Sequence, residues 1–513
     1  MNETAQCATV QRPAAGLPVA GRVVIVGYGM AGCRLATELR ARNGDLKITA
    51  LGAEPHRAYN RIMLSNLLAG KADESQVELT EATGRGVDVR PGVEVVAIDR
   101  TARTVTTARG DLIEYDHLVL ATGSRPVVPP LAGLAPPGET PDPARLPDRV
   151  ATFRTLDDCR RILATALNAT PRGPARTALV LGGGLLGLEA ARGLAARGLD
   201  VQVVHPVGHL MERQLDPGAS AVLVRTLAKL GVTVHLGVAA TGVDATDDRV
   251  DLHLDDGRTL RADLLVLACG VRPDTRLAQA AGLAVERGVV VDERMRTSDP
   301  HISAIGDCAQ YDGVVSGLVA PAWEQARVLA EVLANGDRAA RYRPTPPVTR
   351  LKAAGIDLAA MGDPTVRAGG TDVEELSFTD PARGTYAKLL IVDERLAAAI
   401  MLGDNPTVGT VIQLFDRGAP VPADRRSLLL GRAYGEQPVT TAESPALMPD
   451  AAIVCQCNTV RKGALVASWR AGARTVQEVV GATRATTGCG TCRDAVEGIV
   501  QWLAATDSEG VAR

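Results

Sequence analysis

The apolar residues of this chain gather in short unbroken runs within residues 23–26, 46–51, 116–123, 177–181, 200–204 and 263–268. Runs of this length, rich in Val, Leu and Ile and lacking alternation, predict parallel strands covered on both faces. After residue 26 the pattern breaks into Gly27-x-Gly29-x-x-Gly32, and helical spacing starts at once over residues 33–42. After residue 181 the same succession returns, with Gly182-x-Gly184-x-x-Gly187 leading into a helix. A further helix is predicted over 156–168, and residues 93–98, 104–107 and 111–115 read as a small β-hairpin layer. Residues 374–378, 385–392 and 396–403 predict three strands of an antiparallel sheet, completed by a helix near 406–415. Toward the C-terminus, residues 461–471, 476–480 and 495–505 read as helices. Stretches rich in Pro and Gly at 126–147 and 343–347, and in Pro, Ser and Ala at 425–449, read as crossings and linkers.

Composition changes this picture little. A length of 513 residues allows three or four domains, and 46% hydrophobic with 22% charged residues is ordinary for globular proteins. A net charge of −3 offers nothing to nucleic acid or an anionic membrane, and 3% aromatic residues leave no stacking platform for single strands. No apolar run approaches the roughly 18–20 residues a transmembrane helix needs. Residues 1–20 read as a loose polar tail, without the basic start and apolar core of a signal peptide. Nine cysteines, an odd number, point to a reducing cytoplasm and to metal ligation rather than disulfides.

Each glycine unit has the form that holds a dinucleotide pyrophosphate. The first glycine permits the tight turn, the second lets backbone reach phosphate, and the third lets helix pack on strand. The amides at the helix start face the anion. One such motif is a weak signal; two, each after a strand and before a helix, imply two dinucleotides and hydride transfer between them. Glu54 lies roughly 20 residues past the first glycines, where a carboxylate holds a ribose hydroxyl pair. In the second unit the corresponding strand ends at His205, where an acid would mark NAD and arginines NADP. Without an arginine cluster there the expectation is NADH, with NADPH as the alternative. Near the C-terminus stand Cys455-x-Cys457 and Cys489-x-x-Cys492. Four thiolates in two close pairs can ligate zinc or an iron–sulfur cluster; the one-residue spacer argues against a structural zinc site, whose pairs are wider. Cys33, Cys159, Cys269 and Cys308 read as small buried hydrophobes.

Residues 23–32 with Glu54, Ala121-Thr122-Gly123, the second glycine unit and Ala304-Ile305-Gly306-Asp307 resemble the two-dinucleotide flavoprotein disulfide-reductase superfamily. The resemblance implies FAD on Gly27, Gly29, Gly32, Glu54, Thr122, Gly123, Gly306 and Asp307, the last near the ribityl or phosphate region. It implies NAD(P)H on Gly182, Gly184, Gly187 and His205, and a helix beginning near Pro321 that points at the flavin ring. Arg61, in Tyr59-Asn60-Arg61, is either a cation beside the flavin or its pyrophosphate, or a plain surface arginine. The departures from the superfamily carry information. No C-x4-C follows the first helix, and Ser65 and Asn66 stand where peroxidase-like members carry a cysteine. Asn66 also replaces the lysine that oxygenase ferredoxin reductases pair with a glutamate matching Glu189. No side chain is therefore expected to act as a redox catalyst, and the flavin must pass its electrons on. Cys455, Cys457, Asn458, Thr459, Val460 and residues 487–492 resemble the bacterioferritin-associated-ferredoxin type of [2Fe-2S] domain. That resemblance implies Cys455, Cys457, Cys489 and Cys492 as cluster ligands.

The expected fold class is α/β, with two Rossmann-like dinucleotide-binding domains, a small α+β third domain and a small helical [2Fe-2S] domain. The FAD domain is expected at 21–123 and 273–338, the NAD(P)H domain at 124–272, the third domain at 339–424 and the cluster domain at 450–505. This order resembles the N-terminal half of NADH nitrite reductase large subunits and the electron-transfer subunit of assimilatory nitrate reductase. In that group the third domain is structural or a dimer surface, and the second of these roles would make the protein a homodimer. The C-x5-C and C-x3-C cysteines of a sirohaem domain do not occur in this sequence, so nitrite chemistry is not expected within it. The expected function is electron transfer from NAD(P)H to FAD to [2Fe-2S] to a separate acceptor, foremost a molybdenum-containing nitrate reductase chain. A ferredoxin- or rubredoxin-like protein and a separate sirohaem nitrite reductase are the other acceptors. A reading of a different class is a non-catalytic flavin and iron–sulfur redox sensor.

Overall fold

The Arg22–Val26 strand lies at the centre of a five-stranded parallel sheet, in the order Ile302–Ala304, His117–Leu120, Arg22–Val26, Lys47–Gly52, Val87–Pro91. Val23, Val24 and Ile25 are at most 1% exposed. Burial of consecutive residues, not of alternate ones, is what a strand sandwiched between layers requires. One covering layer is the Met30–Arg42 helix, which packs along the Val319–Asn335 helix. The predicted hairpin layer forms as a three-stranded meander of Val95–Asp99, Thr104–Thr107 and Leu112–Glu114.

This computed structural model describes residues 21–79, 86–136, 138–167, 175–337, 339–346, 348–351, 353, 355–364, 373–430, 445–455, 460–486 and 492–510. They fall into two compact units. The first runs to Tyr59 and takes in Leu79–Ser124 and Pro273–Pro344; the second takes in Asn60–Glu78, Arg125–Arg272 and the chain from Thr345 on. The sequence groups residues 60–78 with the first nucleotide site, but their packing is with the second unit. The Leu64–Leu68 helix lies on the Leu156–Leu167 and Leu185–Ala196 helices. Arg197 ties it down by donating to the carbonyls of Leu67, at 3.0 Å, and Leu68.

The second unit holds its own parallel sheet, ordered Val232–Leu236, Asp200–His205, Thr177–Leu181, Leu264–Leu267, Val150–Thr152. Beyond residue 345 the third domain is a five-stranded antiparallel sheet, ordered Val348–Leu351, Leu358–Gly362, Arg395–Leu402, Thr385–Val392, Glu374–Asp380. Two of these strands, Val348–Leu351 and Leu358–Gly362, are absent from the sequence reading. Residues 358–361 are buried throughout and Ala-rich, so neither alternation nor β-branching announces them. The Val408–Arg417 helix covers one face through Val411, Ile412 and Phe415.

This domain braces the nucleotide domain. The Tyr386 hydroxyl donates to Asp216 Oδ2 at 2.8 Å, and Lys388 Nζ lies 3.3 Å from the same oxygen. Asp216 is the N-cap of the Pro217–Lys229 helix and accepts from the Ala219 amide at 2.8 Å. Burial opposes its charge, but Ala219, Tyr386 and Lys388 hold its carboxyl below the usual carboxylate range. At the C-terminus the short strands Ile453–Cys455 and Val460–Arg461 pair antiparallel, followed by helices Lys462–Arg470, Val476–Thr483 and Arg493–Gly510.

Candidate functional site

Both glycine turns have the geometry their spacing predicts. Gly27 sits at φ +103°, and a Cβ there would lie 2.1 Å from the carbonyl oxygen of Ala121. Gly182 is its counterpart, at φ +119° and 2.3 Å from the oxygen of Ala268. A Cβ on Gly32 would lie 2.0 Å from the Gly27 oxygen, and one on Gly187 2.0 Å from that of Gly182. The first and third glycines are thus required by close backbone contact alone. The middle glycines differ: nothing lies within 4 Å of a Cβ on Gly29 or Gly184. Each is the N-cap of a helix, Met30–Arg42 or Leu185–Ala196, with no side-chain cap and no acidic residue in the first turn. The space, the uncapped amides and the helix dipole suit a pyrophosphate. The residues present therefore fit two dinucleotides.

In the first unit Glu54 follows the Lys47–Gly52 strand, half-buried, and accepts from the Tyr59 hydroxyl at 2.7 Å. Thr122 donates through Oγ1 to the Asp274 carbonyl at 2.7 Å, and Gly123 turns the chain at φ +73°. Gly306 sits at φ +76°, and its amide donates at 2.8 Å to Oε1 of the buried Gln325. Ser124 donates to Asp307 Oδ2 at 2.9 Å. Trp323 donates to the Met30 carbonyl at 3.2 Å, joining the Val319–Asn335 helix to the start of the first fingerprint helix. Ser124 and Gln325, and the hydrogen bonds made by Tyr59 and Trp323, escaped the sequence reading, because each acts on a partner set by the fold rather than by a motif.

In the second unit Arg61 donates to the Arg154 carbonyl at 3.0 Å. His205 closes its strand as expected, but its Nδ1 accepts from the Gly183 amide at 3.2 Å. Glu189 is buried within its helix.

Cys33, Cys159 and Cys308 are buried; Cys269 is only partly so, against expectation, because it lies just past the end of its strand. Burial pushes the thiol of Cys159 up to about 12 and that of Cys269 up to about 11, and raises Cys308 as well. Thiols so shifted hold almost no thiolate at neutral pH and are poor redox nucleophiles. In the C-terminal domain Cys455 ends a strand and Cys492 immediately precedes the last helix, both buried. Cys457 and Cys489 lie outside the described residues, as do Asn458, Thr459 and residues 487–491. Two buried thiols brought into one small domain suit a thiolate-ligated cluster.

Comparison with known proteins agrees with this geometry. Residues 21–327 match the family described as pyridine nucleotide-disulphide oxidoreductase, residues 347–416 the rubredoxin NAD+ reductase C-terminal domain, and residues 453–502 the BFD-like [2Fe-2S] binding domain. The chain is 34% identical over 493 residues to the assimilatory nitrate reductase electron transfer subunit of Bacillus subtilis (strain 168), covering 95% of this chain and 60% of that protein. It is also 34% identical over 364 residues to the rubredoxin-NAD(+) reductase of Alcanivorax borkumensis, covering 69% of this chain and 91% of the relative. The putidaredoxin reductase–putidaredoxin complex superposes with a TM-score of 0.68 at 28% identity, over 78% of this chain and 94% of that one. The chain spans only about 60% of the length of its nitrate and nitrite reductase relatives from Bacillus subtilis. No helix among the described residues is long and apolar enough to cross a membrane. The chain belongs to the pyridine nucleotide-disulphide oxidoreductase family, as an NAD(P)H-dependent flavoprotein with a C-terminal BFD-like [2Fe-2S] domain.

Proposed function

We propose that this chain passes electrons from NADH, by way of FAD and a [2Fe-2S] centre on Cys455, Cys457, Cys489 and Cys492, to a separate redox protein. The acceptor on this reading is the molybdenum-containing catalytic chain of an assimilatory nitrate reductase, in the reducing cytoplasm. The observation that carries it is the state of the other cysteines. Cys33, Cys159 and Cys308 are buried and Cys269 is partly so, and the thiols of Cys159, Cys269 and Cys308 are all shifted up. No C-x4-C dithiol stands in the sequence. On this reading the C-terminal cysteine pairs are the outlet. The match to the nitrate reductase electron transfer subunit extends over 95% of this chain and supports the choice of acceptor.

FAD would be held by the first cradle with Glu54 and Asp307, and NADH by the second. A bound flavin takes two electrons together as a hydride and releases them singly, which is what a one-electron centre needs. The chain's own part is to bind and orient. Tyr59 holds the Glu54 carboxylate, which would take a ribose hydroxyl pair, and Ser124 holds that of Asp307. Uncapped helix amides neutralise phosphate charge. The third domain braces the nucleotide domain through Tyr386 and Lys388.

A second acceptor is favoured by one observation. The rubredoxin-NAD(+) reductase relative is matched over 91% of its own length, which supports a rubredoxin- or ferredoxin-like partner. NADH oxidation with the purified partners separates the two: formation of nitrite from nitrate with a molybdenum chain, or bleaching of a rubredoxin. A Cys489→Ser variant should keep NADH-driven bleaching of the flavin band and lose cytochrome c reduction. Equal loss of both overturns the order, and zinc without acid-labile sulfide in the purified protein removes the last link.

A further inference from the structure

The Asp200–His205 strand ends on an imidazole where a carboxylate ordinarily holds the adenosine ribose of NAD. The structure shows what that imidazole does instead. The amide of Gly183, the middle of the glycine turn, donates to His205 Nδ1 at 3.2 Å. An accepting Nδ1 leaves the ring proton on Nε2. Nε2 lies 3.1 Å from Oε2 of Glu212, so His205 donates to that carboxylate. The loop bearing Glu212 is also tied to the turn. The Met211 amide donates to the Gly183 carbonyl at 3.0 Å, and the Leu210 amide to Ser220 Oγ at 2.8 Å. Met211 takes a left-handed φ of 50° to make this return. Leu210 and His205 pack so closely over Gly183 that a Cβ there would lie 2.5 Å from Leu210 Cδ2 and 2.8 Å from His205 Cγ. The imidazole is only 7% exposed, whereas the Glu212 side chain is 38% exposed. One carboxylate is therefore pinned from behind and presented to solvent beside the second cradle.

We propose that Glu212 is the carboxylate that reads the adenosine ribose in the second cradle, with His205 as its positioning residue. The site then selects the 2′-hydroxyl of NADH and rejects the 2′-phosphate of NADPH. This rests on the second cradle being the nicotinamide dinucleotide site. With Oε2 engaged by His205, Oε1 retains lone pairs for a ribose hydroxyl. A 2′-phosphate in the same place brings like charge against it. Glu212 thus supplies the acid that the strand end lacks, seven residues later in the chain. The neighbouring Arg213 is exposed and is the group that would favour a 2′-phosphate instead.

The test uses the flavin-loaded full chain and two fragments that carry no nicotinamide, ADP-ribose and its 2′-phosphate, titrated by calorimetry. The wild type should bind ADP-ribose at least about tenfold more tightly than the 2′-phosphate. Glu212→Gln should weaken ADP-ribose about tenfold and leave the 2′-phosphate unchanged or tighter, so that the preference collapses. Glu212→Asp should fall between the two. His205→Ala should erode the same preference, whereas a purely structural role would weaken both fragments alike. Equal losses for both fragments, or none, overturn the assignment. Wild-type preference for the 2′-phosphate that vanishes in Arg213→Ala overturns it in favour of Arg213. Failure of both NADH and NADPH to bleach the flavin would instead defeat the reading of the cradle itself. Bleaching by NADH with an unaltered fragment ratio in Glu212→Gln defeats only the role of Glu212.

Discussion

The two cradles make a paired prediction in which folding and ligand binding come apart. Gly27→Ala places a methyl 2.1 Å from the Ala121 oxygen and 2.5 Å from its carbon, both backbone atoms that cannot swing aside. The residue must also hold φ +103°, where an L side chain costs about 1–3 kcal/mol. Relieving the overlap costs about 1–3 kcal/mol more. The sum, roughly 2–6 kcal/mol, is a large part of the roughly 5–15 kcal/mol by which a domain is stable. Gly29→Ala is the contrast. Its φ of −85° suits alanine, and the new methyl meets nothing within 4 Å. A weaker N-cap and a less flexible unfolded chain offset one another to within about 0.5 kcal/mol. The methyl projects instead into the space where phosphate must approach. Loss of one charge-assisted amide bond, about 1.5–3 kcal/mol, weakens FAD roughly 10- to 150-fold. The assay is thermal unfolding of the flavin-stripped proteins beside FAD titration by fluorescence quenching. Gly27→Ala should lower the apoprotein melt, and Gly29→Ala should not, yet both should lose flavin. Wild-type FAD affinity in Gly29→Ala would refute the cradle as the pyrophosphate site.

Three further outcomes follow from packing. His117 is buried against Ser303 at 3.0 Å, and burial, then the neighbouring His301, lowers it to about 3. The unfolded chain takes up that proton below about pH 6.5 while the folded one does not, so stability falls as pH drops from there toward 3. Between pH 7 and 4 the loss is about 3 kcal/mol; denaturant melts in which His117→Gln keeps the whole slope would refute it. Tyr386→Phe removes one donor from Asp216 and should cost about 1–2 kcal/mol at pH 7. Because the Asp216 carboxyl is held low, that cost should shrink as pH falls below about 4, and a pH-independent cost would count against the network. Arg484, in a left-handed C-cap at φ 62°, donates to the carbonyls of Glu78, at 2.9 Å, and Gln76. Arg484→Ala should speed amide exchange over residues 74–78, and unchanged exchange would show that this contact does not hold the segment.

The order of strands, glycine turns and helices, and the α/β class, were legible because their causes are local. A clash between Gly32 and the Gly27 oxygen, or a helix starting at Met30, is decided within ten residues of chain, and periodicity records it. The paired cysteines declared themselves for the same reason. Other features had no local cause to leave a mark. The strands Val348–Leu351 and Leu358–Gly362 exist because a sheet completes around them, and the latter is buried throughout apart from its terminal glycine. Residues 60–78 sit between two segments of the first unit in the chain, yet Arg197 and the helices of the second unit claim them. Ser124 reaches Asp307 across 183 positions, and no spacing rule connects them. His205 is the clearest case. Its sequence position announced a missing acid, and only the return of the 206–216 loop onto Gly183 brought Glu212 to the imidazole. Hydrophobic period and backbone sterics act between near neighbours and are written in the sequence itself. The partner of a buried polar group is chosen by which distant segments the packed core brings within hydrogen-bond reach, and that is decided only when the chain closes.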